Sequence, residues 1–429
     1  MILYFAHRRL YNVPVVYRPR VVDKELQRHL RALGAVLIEG PKACGKTETA
    51  RQIAASEVLL DVDTQAREAA AIDPALVLEG PTPRLIDEWQ LVPEIWNHVR
   101  REVDRRARPG EFILTGSALP PEDETRHTGA GRMTRIQMRP MSLLETGHSD
   151  GSISLEELLN GGTARSSDRG LAIRDLAETI AIGGWPAIQE LEEEQALQVN
   201  RSYLDEIRRV DISRVGPARR DPERVAVLLR SLARNVATYA GVSTLAADTT
   251  GTDEPLKRDT VAQYLDALRR LKVVEDQQAW APHLRSKHAL RSQAKRHFVC
   301  PSLAVAALRG SGDTLLDDLN YLGFLFESLV TRDLRIYAQA IDAEVLHYKD
   351  QDLEVDAVVR AVDGRWAAFE VKLGRNQIDE GAQNLVKFVN RIDTAKIGEP
   401  GVLGVITGAG YGYVRDDGIR VIPIGALGP

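Results

Sequence analysis

Three short runs in this chain carry residue types at spacings that chemistry can use. The first is Gly40-Pro41-Lys42-Ala43-Cys44-Gly45-Lys46-Thr47, preceded by the apolar run Ala35 to Ile38 and followed by a helical pattern through Ala54. Glycines at both ends of such a loop let backbone N–H groups turn toward phosphate oxygens, and the helix start adds a positive dipole. Lys46 would then reach the β- and γ-phosphates of ATP, and Thr47 would coordinate Mg²⁺. The second run, Leu85-Ile86-Asp87-Glu88, ends a short apolar strand in two carboxylates. Asp87 would hold the Mg²⁺ water shell and Glu88 would polarise the attacking water, so ATP hydrolysis is expected. The third is Glu370-Val371-Lys372, where strand alternation puts Glu370 and Lys372 on one face.

Other residues extend the first two runs. The apolar strand Phe112 to Leu114 ends in Thr115-Gly116-Ser117, and Ser117 there would hold the attacking water or report the γ-phosphate, or is part of a small-residue turn. Arg132 follows a glycine-rich loop and Arg139 precedes Pro140. Either guanidinium would stabilise transition-state charge, in its own subunit or a neighbour's, with Arg132 the first choice. Cys44 is an unusual thiol among phosphate-contacting amides. It either makes nucleotide binding oxidation-sensitive or is a small residue filling a tight loop.

The third run has company upstream. "LNYLGFLFESLVTRDLRIYAQ" reads as a helix with Leu322, Leu325, Phe326, Leu329 and Leu334 on a wide apolar side and Glu327 inside it. "EVLHYKD", "LEVDAVVRA" and "RWAAFEVKLG" read as successive strands. Phosphodiester cleavage needs a divalent cation to neutralise the scissile phosphate and activate water. Asp356 and Glu370 would ligate Mg²⁺ (or Mn²⁺) with the Val371 carbonyl, Lys372 would orient the water or steady the oxyanion, and Glu327 would hold a second metal or a metal-bound water. Gln377 and Gln383 either flank this set as further polar neighbours or are ordinary polar helix positions. The order helix, strand, strand, strand, carrying Glu, Asp and Glu-x-Lys, resembles the PD-(D/E)xK nuclease core. The plainer alternative is a solvated strand face on a domain that binds without cutting.

The connecting elements are less specific. His148 to Gly170 is rich in Gly, Ser and Asp and reads as an irregular connection. A helical stretch runs from about Glu194 to Val210, and Asp211 after it reads as solvated. From Gly216 to Cys300 there are 15 Lys and Arg against 9 Asp and Glu, a local excess in a chain whose net charge is −5. Within it Val261, Tyr264, Leu265, Leu268 and Leu271 recur at helical spacing, and "VVEDQQAW" resembles the strand of a wing. A helix with Lys257 and Arg258 at its start and Arg269 and Arg270 at its end could lie in a DNA groove or serve protein contacts.

Composition bounds these readings. At 429 residues, 44% hydrophobic and 27% charged, the chain is long enough for two to four globular domains. Its net charge of −5 excludes a global polyanion-binding surface. Two cysteines without a CxxC exclude a disulfide framework and a structural zinc ribbon. The start "MILYFAHRRLYN" has too short an apolar core for a signal peptide, and no run approaches a membrane span of roughly 18 apolar residues. A cytoplasmic protein is expected.

"GPKACGKT", "LIDEWQLVPEIWNHVRREVD", "ILTGSA", "GRMTRIQMRPMSLLE" and "GGWPAIQE…YLDEIRRVDISR" occur in that order. The series resembles prokaryotic AAA-type ATPases that carry a C-terminal domain of uncharacterised function, from about Tyr17 to the chain end. The resemblance implies an α/β architecture: a P-loop AAA-like core over 18–160, a helical lid over 161–215, a winged-helix-like segment over 216–300 and a restriction-endonuclease-like domain over 314–429. The leading expectation is a Mg²⁺-dependent ATPase whose nucleotide state is coupled to a nuclease-like domain acting on DNA. The alternative is an ATP-controlled switch that binds DNA or a protein and carries a non-cutting nuclease-like platform.

Overall fold

The computed structural model describes residues 17–117, 128–215, 220–249, 255–282 and 293–429. These fall into two compact units, one of residues 17–117, 128–141 and 185–191, the other of residues 142–184 and 192–429 where described. The core expected over 18–160 thus ends near Met141, because the chain from Ser142 onward packs in the second unit.

In the first unit five parallel strands lie in the order β2 (Ser56–Leu59), β3 (Arg84–Asp87), β4 (Phe112–Gly116), β1 (Ala35–Glu39), β5 (Met133–Gln137). β1 and β4 are buried at every position, and a parallel strand covered on both faces demands such unbroken apolar runs. Four helices flank the sheet: α1 (Val22–Ala32), α2 (Lys46–Arg51), α3 (Thr64–Ile72) and α4 (Ile95–Arg106). α4 sets Trp96, Val99 and Val103 against Leu37, Ile86 and Leu114. Gly34 permits that approach, since a Cβ there would stand 2.2 Å from Val103 Cγ1. The helix after the glycine loop stops at Arg51 rather than reaching Ala54. Register decides where the chemistry falls. Asp87 pairs with Thr115 and Glu39 with Gly116, so the loop after β1, the acidic pair after β3 and the polar end of β4 share one sheet edge.

The second unit begins with α5 (Leu143–Thr146), capped by Ser142, whose Oγ accepts from Glu145 N at 3.3 Å. The segment expected to be irregular holds β6 (Ile153–Ser154) and α6 (Leu155–Leu159), and β6 pairs in parallel with β13 (Leu427–Gly428) at the chain end. The helices expected as a lid, α7 (Ile173–Ile182) and α8 (Glu193–Glu206), belong to this unit and not to the first. Arg174 pairs with Asp313 at 2.8 Å, and Gly312 N donates to Glu193 Oε1 at 2.5 Å. Asp211, read as solvated, is only 3% exposed in the π-turn Ile207–Asp211.

Next come α9 (Pro222–Arg234), α10 (Val242–Ala247) and α11 (Arg258–Arg270), then two extended pieces bridged antiparallel at Val274–Phe298 and Gln277–Lys295. Ala279 bridges to His347, which ties these pieces to the edge of a six-stranded sheet. After α12 (Ser302–Ala307) and α13 (Gly312–Leu316), the helix α14 (Leu319–Ala340) is buried at every residue from Leu325 to Ala338. A helix enclosed on all sides must satisfy its polar groups within the protein. Asp333 accepts from Leu143 N at 2.9 Å and pairs with Arg332 at 2.7 Å. The sheet order is β11 (Tyr413–Val414), β12 (Arg420–Pro423), β10 (Val402–Thr407), β9 (Trp366–Lys372), β8 (Leu353–Ala361), β7 (Ala343–Asp350), with α15 (Ile378–Arg391) packed on it.

Trp280, Trp366 and Phe388 form the aromatic centre of this unit, the two indoles 5.2 Å apart between centroids. Trp366→Ala is expected to lower the stability of this unit by about 3–5 kcal/mol through cavity formation. Denaturant unfolding followed by circular dichroism measures it, and an unchanged midpoint would contradict the packing described.

Candidate functional site

At the shared sheet edge of the first unit the glycine loop is held from outside. Arg20, buried, donates to the carbonyls of Cys44 and Arg139, each at 2.8 Å. Tyr17 donates to Asp23 at 2.6 Å and lies 3.0 Å from Thr49 Oγ1. The loop turns through positive φ at Ala43 (60°) and Gly45 (104°). A glycine at 45 relieves the second of these, which would strain a side chain already facing Arg20 and Met138. Cys44 is buried with Sγ 3.9 Å from Met138 O, so its thiol fills the loop rather than facing the phosphate side.

Lys46 is 5% exposed and donates to the carbonyls of Gly40 and Pro41 at 3.0 and 2.8 Å. Thr47 Oγ1 donates to Asp87 Oδ1 at 2.8 Å. Thr115 also donates to Asp87, because β4 lies between β1 and β3 and ends opposite it. Burial pushes the Asp87 carboxyl above its ordinary pKa, while the Thr115 and Thr47 hydrogen bonds hold it down. Glu88 adopts left-handed backbone (φ 55°), a conformation costly for a non-glycine residue. It accepts from Gln90, and Ser117 Oγ reaches it at 3.4 Å. Burial raises the Glu88 pKa too, against the pull of Lys46. A carboxylate moved toward neutrality is a better-matched base for a water proton.

The structure therefore brings Lys46, Thr47, Asp87, Glu88 and Ser117 together. Thr115 and Arg20 join them without a sequence motif of their own. Arg132 lies apart from them within its own chain. It sits beside the start of β1, where its carbonyl accepts from Ala35 N at 3.2 Å, and its guanidinium pairs with Asp104 at 2.8 Å. The loop follows the other end of β1, five residues on, a span of roughly 16 Å in extended chain, so Arg132 cannot serve its own subunit's site. The hydroxyl of Thr47 beside the carboxylate of Asp87 is a hard-oxygen pair that fits Mg²⁺.

In the second unit the antiparallel register sets Ala357 opposite Phe369, bringing Asp356 beside Glu370 at the end of that ladder. Asp356 Oδ2 accepts from Val371 N at 2.9 Å. Glu370 takes Lys372 at 3.1 Å and Asn384 Nδ2 at 2.9 Å. The expected polar neighbours fall elsewhere: Gln377 accepts from Gly374 N in its own turn, and Gln383 is exposed while Asn384, one residue on, faces the cluster.

The expected metal set of Glu327, Asp356 and Glu370 is not arranged around a metal. Lys295, 1% exposed, sets Nζ 2.6 Å from Glu327 Oε1, 2.9 Å from Glu354 Oε1 and 3.1 Å from Asp356 Oδ1. Those are ammonium hydrogen-bond lengths, whereas Mg²⁺ demands oxygens at about 2.0–2.1 Å in octahedral array. Among the described residues no group of three or more His, Cys, Asp or Glu side chains is arranged to hold a metal ion. The residues present do not fit a divalent cation here. Glu354 was legible in principle, two residues before Asp356 on the same strand face. Lys295 lies in no motif and about 60 residues upstream (356 − 295 = 61).

Burial pushes the Glu327 carboxyl up, against the attraction of Lys295. Burial, then repulsion from Asp356, raises Glu370 to about 8 and outweighs Lys372. The three carboxylates keep Lys295 charged well above the ordinary lysine value against its own burial. His347, on the bulge of β7, is driven down to about 4 by burial and the nearby Lys295 charge, so it is neutral at physiological pH. In the basic segment Lys257 and Arg258 are exposed, but Arg269 pairs with Asp276 at 2.5 Å and Arg270 with Asp266 at 3.0 Å. Residues 283–292, which carry part of the excess charge, lie outside the described residues.

A parallel sheet, a GxxxxGKT loop after its β1 and an acidic pair at the aligned end of β3 define a P-loop NTPase core. Residues 33–147 match the family model described as an AAA domain. Residues 173–314 match a domain of unknown function (DUF8612) and residues 322–427 another (DUF4143). Uncharacterized proteins of Mycobacterium bovis and Mycobacterium tuberculosis are each 26% identical over 360 residues, covering 81% of this chain and 72% of theirs. A Walker-type ATPase of Pyrococcus abyssi aligns in structure over 68% of this chain and 99% of its own, at 12% identity and a TM-score of 0.42. No described helix is long and apolar enough to cross a membrane.

Two outcomes are expected. Glu88→Gln keeps the shape and removes the base, so steady-state phosphate release should fall by roughly 10²–10⁴-fold while ATP still binds. Equal loss of binding would reassign Glu88 to structure. In the second unit, Glu370 titrates at about 8 in the fold against an ordinary 4.5. The fold holds a proton that the unfolded chain has released, so this group's contribution is full below pH 4.5 and is lost as pH rises to about 8. Glu370→Gln should flatten that decline in melting temperature, and an unaltered slope would contradict the assignment.

Proposed function

We propose that this chain is a Mg²⁺-dependent, ATP-hydrolysing switch whose nucleotide state governs association with DNA, with its C-terminal nuclease-like domain serving as a non-cutting platform. The observation that carries the first half is the contact of Thr47 with Asp87, beside Glu88 and Ser117. Loop amides and Lys46 bind the phosphates. Thr47 and Asp87 would hold Mg²⁺, which would supply charge neutralisation on the phosphates. Glu88, steadied by Gln90 and Ser117, orients water and accepts its proton.

The DNA-facing half is supported by the three helices α9–α11 followed by bridged extended pieces, an order consistent with a winged helix. Exposed positive charge at the Lys257–Arg258 start of α11 adds to that support. The order of helix and three strands, with Glu327, Asp356, Glu370 and Lys372 upon them, supports the nuclease-like reading of the C-terminal fold. The convergence of Asp356, Glu370 and Lys372 also supports a second reading, in which this domain cuts once a divalent cation displaces Lys295 from Asp356.

A cleavage assay on single- and double-stranded DNA and RNA, with Mg²⁺ or Mn²⁺ and with or without ATP, separates the two. The switch predicts no cleavage, and DNA association that changes with ATP in wild type but not in Lys46→Ala. Cleavage abolished by both Asp356→Ala and Lys372→Ala would establish the cutting reading instead. Nucleotide-insensitive association would sink the switch.

A further inference from the structure

The interior of the second unit holds an ammonium where a nuclease-like site would hold a metal. Lys295 offers three N–H donors, and three different carboxylates from two elements accept: Glu327 on α14, Glu354 and Asp356 on β8. Tyr239 adds its ring face, 5.4 Å from Nζ to the centroid. The donors and acceptors are saturated elsewhere as well. Asp356 Oδ2 is taken by Val371 N, and Glu370 by Lys372 and Asn384.

Lys295 is not a surface lysine that happens to fold inward. Its N–H and C=O both pair with Gln277, at 3.0 and 2.9 Å. On its next residue, Arg296 donates to Ala240 O at 2.8 Å and pairs with Asp276 at 2.5 Å. His297 Nδ1 lies 3.1 Å from Ser328 Oγ, on the residue after Glu327 in α14. The chain is therefore clamped at the lysine and at the two residues after it, and the buried charge is compensated by geometry built into three elements.

We propose that Lys295 is a resident cation: the protein fills its own carboxylate site, so the C-terminal domain takes no divalent metal, and removal of the ammonium converts the cluster into a Mg²⁺/Mn²⁺ site. This gives the non-cutting platform a physical cause. It concerns the cluster alone and stands or falls separately from ATP hydrolysis and DNA association.

The test uses the full chain without nucleotide and Mn²⁺ alone as the probe, with bound ion counted by electron paramagnetic resonance. Wild type and Asp356→Asn should bind the same number of ions. Lys295→Met should bind one more, and Lys295→Met/Asp356→Asn should lose it. Lys295→Met should also melt below wild type without Mn²⁺ and recover on its addition, while the wild-type melting temperature stays put. A Mn²⁺ site in wild type that Asp356→Asn removes would overturn the proposal, as would a folded Lys295→Met that gains no ion. The wild-type comparison decides the matter even where Lys295→Met fails to fold.

Discussion

A charge removed from water must be met by an opposite charge or by hydrogen bonds, and the interior of this protein is organised around that requirement. Desolvation alone would cost several kcal/mol per ion, so each buried ionic group here is matched within its own unit. Asp87 is met by two threonines, Arg20 by two loop carbonyls, Asp333 by Arg332 and a helix-start amide, and Lys295 by three carboxylates. Bulk solvent offers these groups little in exchange, so their partners fix where they sit.

The two carboxylate centres resolve the requirement differently. In the first unit Asp87 accepts from hydroxyls, which leaves its negative charge uncancelled and attractive to a hard cation. Lys46 stands near but donates to loop carbonyls instead. In the second unit the cation is part of the chain. An ammonium is monovalent and donates along three directions, so it satisfies three carboxylates without the short, octahedral contacts that Mg²⁺ imposes. Hydroxyls meet the carboxylate of one centre, and an ammonium of the chain itself meets those of the other.

Backbone geometry accounts for the precision of the first centre. Parallel pairing equalises the ends of β1, β3 and β4, and the loop after each strand inherits that alignment. The placement of β4 between β1 and β3 is what lets Thr115 reach Asp87. Glu88 is then held in left-handed backbone by the turn Trp89–Leu91 and the buried Trp89, whose ring packs 5.2 Å from Trp96. Backbone strain of this kind persists only where the surrounding structure holds it, and here the aromatic packing does so.

Much of this was legible from residues alone, and for local reasons. Gly40 to Thr47 needs a particular backbone, so its glycines, lysine and threonine are contiguous; Asp87-Glu88, Ser117 and Glu370-x-Lys372 sit at strand ends or on one strand face, which alternation reveals. The helix bearing Glu327 and the strands bearing Asp356 and Glu370 follow from hydrophobic periodicity in the same way. What only tertiary structure decided was which distant groups meet. Arg132 lies at the end of the sheet away from its own chain's glycine loop because the direction of β5 is a topological fact, absent from the glycines preceding it. Asn384 rather than Gln383 faces Glu370 because helix phase is set by packing. Lys295, in an unremarkable stretch upstream, reaches Glu327, Glu354 and Asp356 because long-range strand bridging carries it there. Carboxylates in sequence announce that a cation is needed; only the fold determines that the protein supplies it.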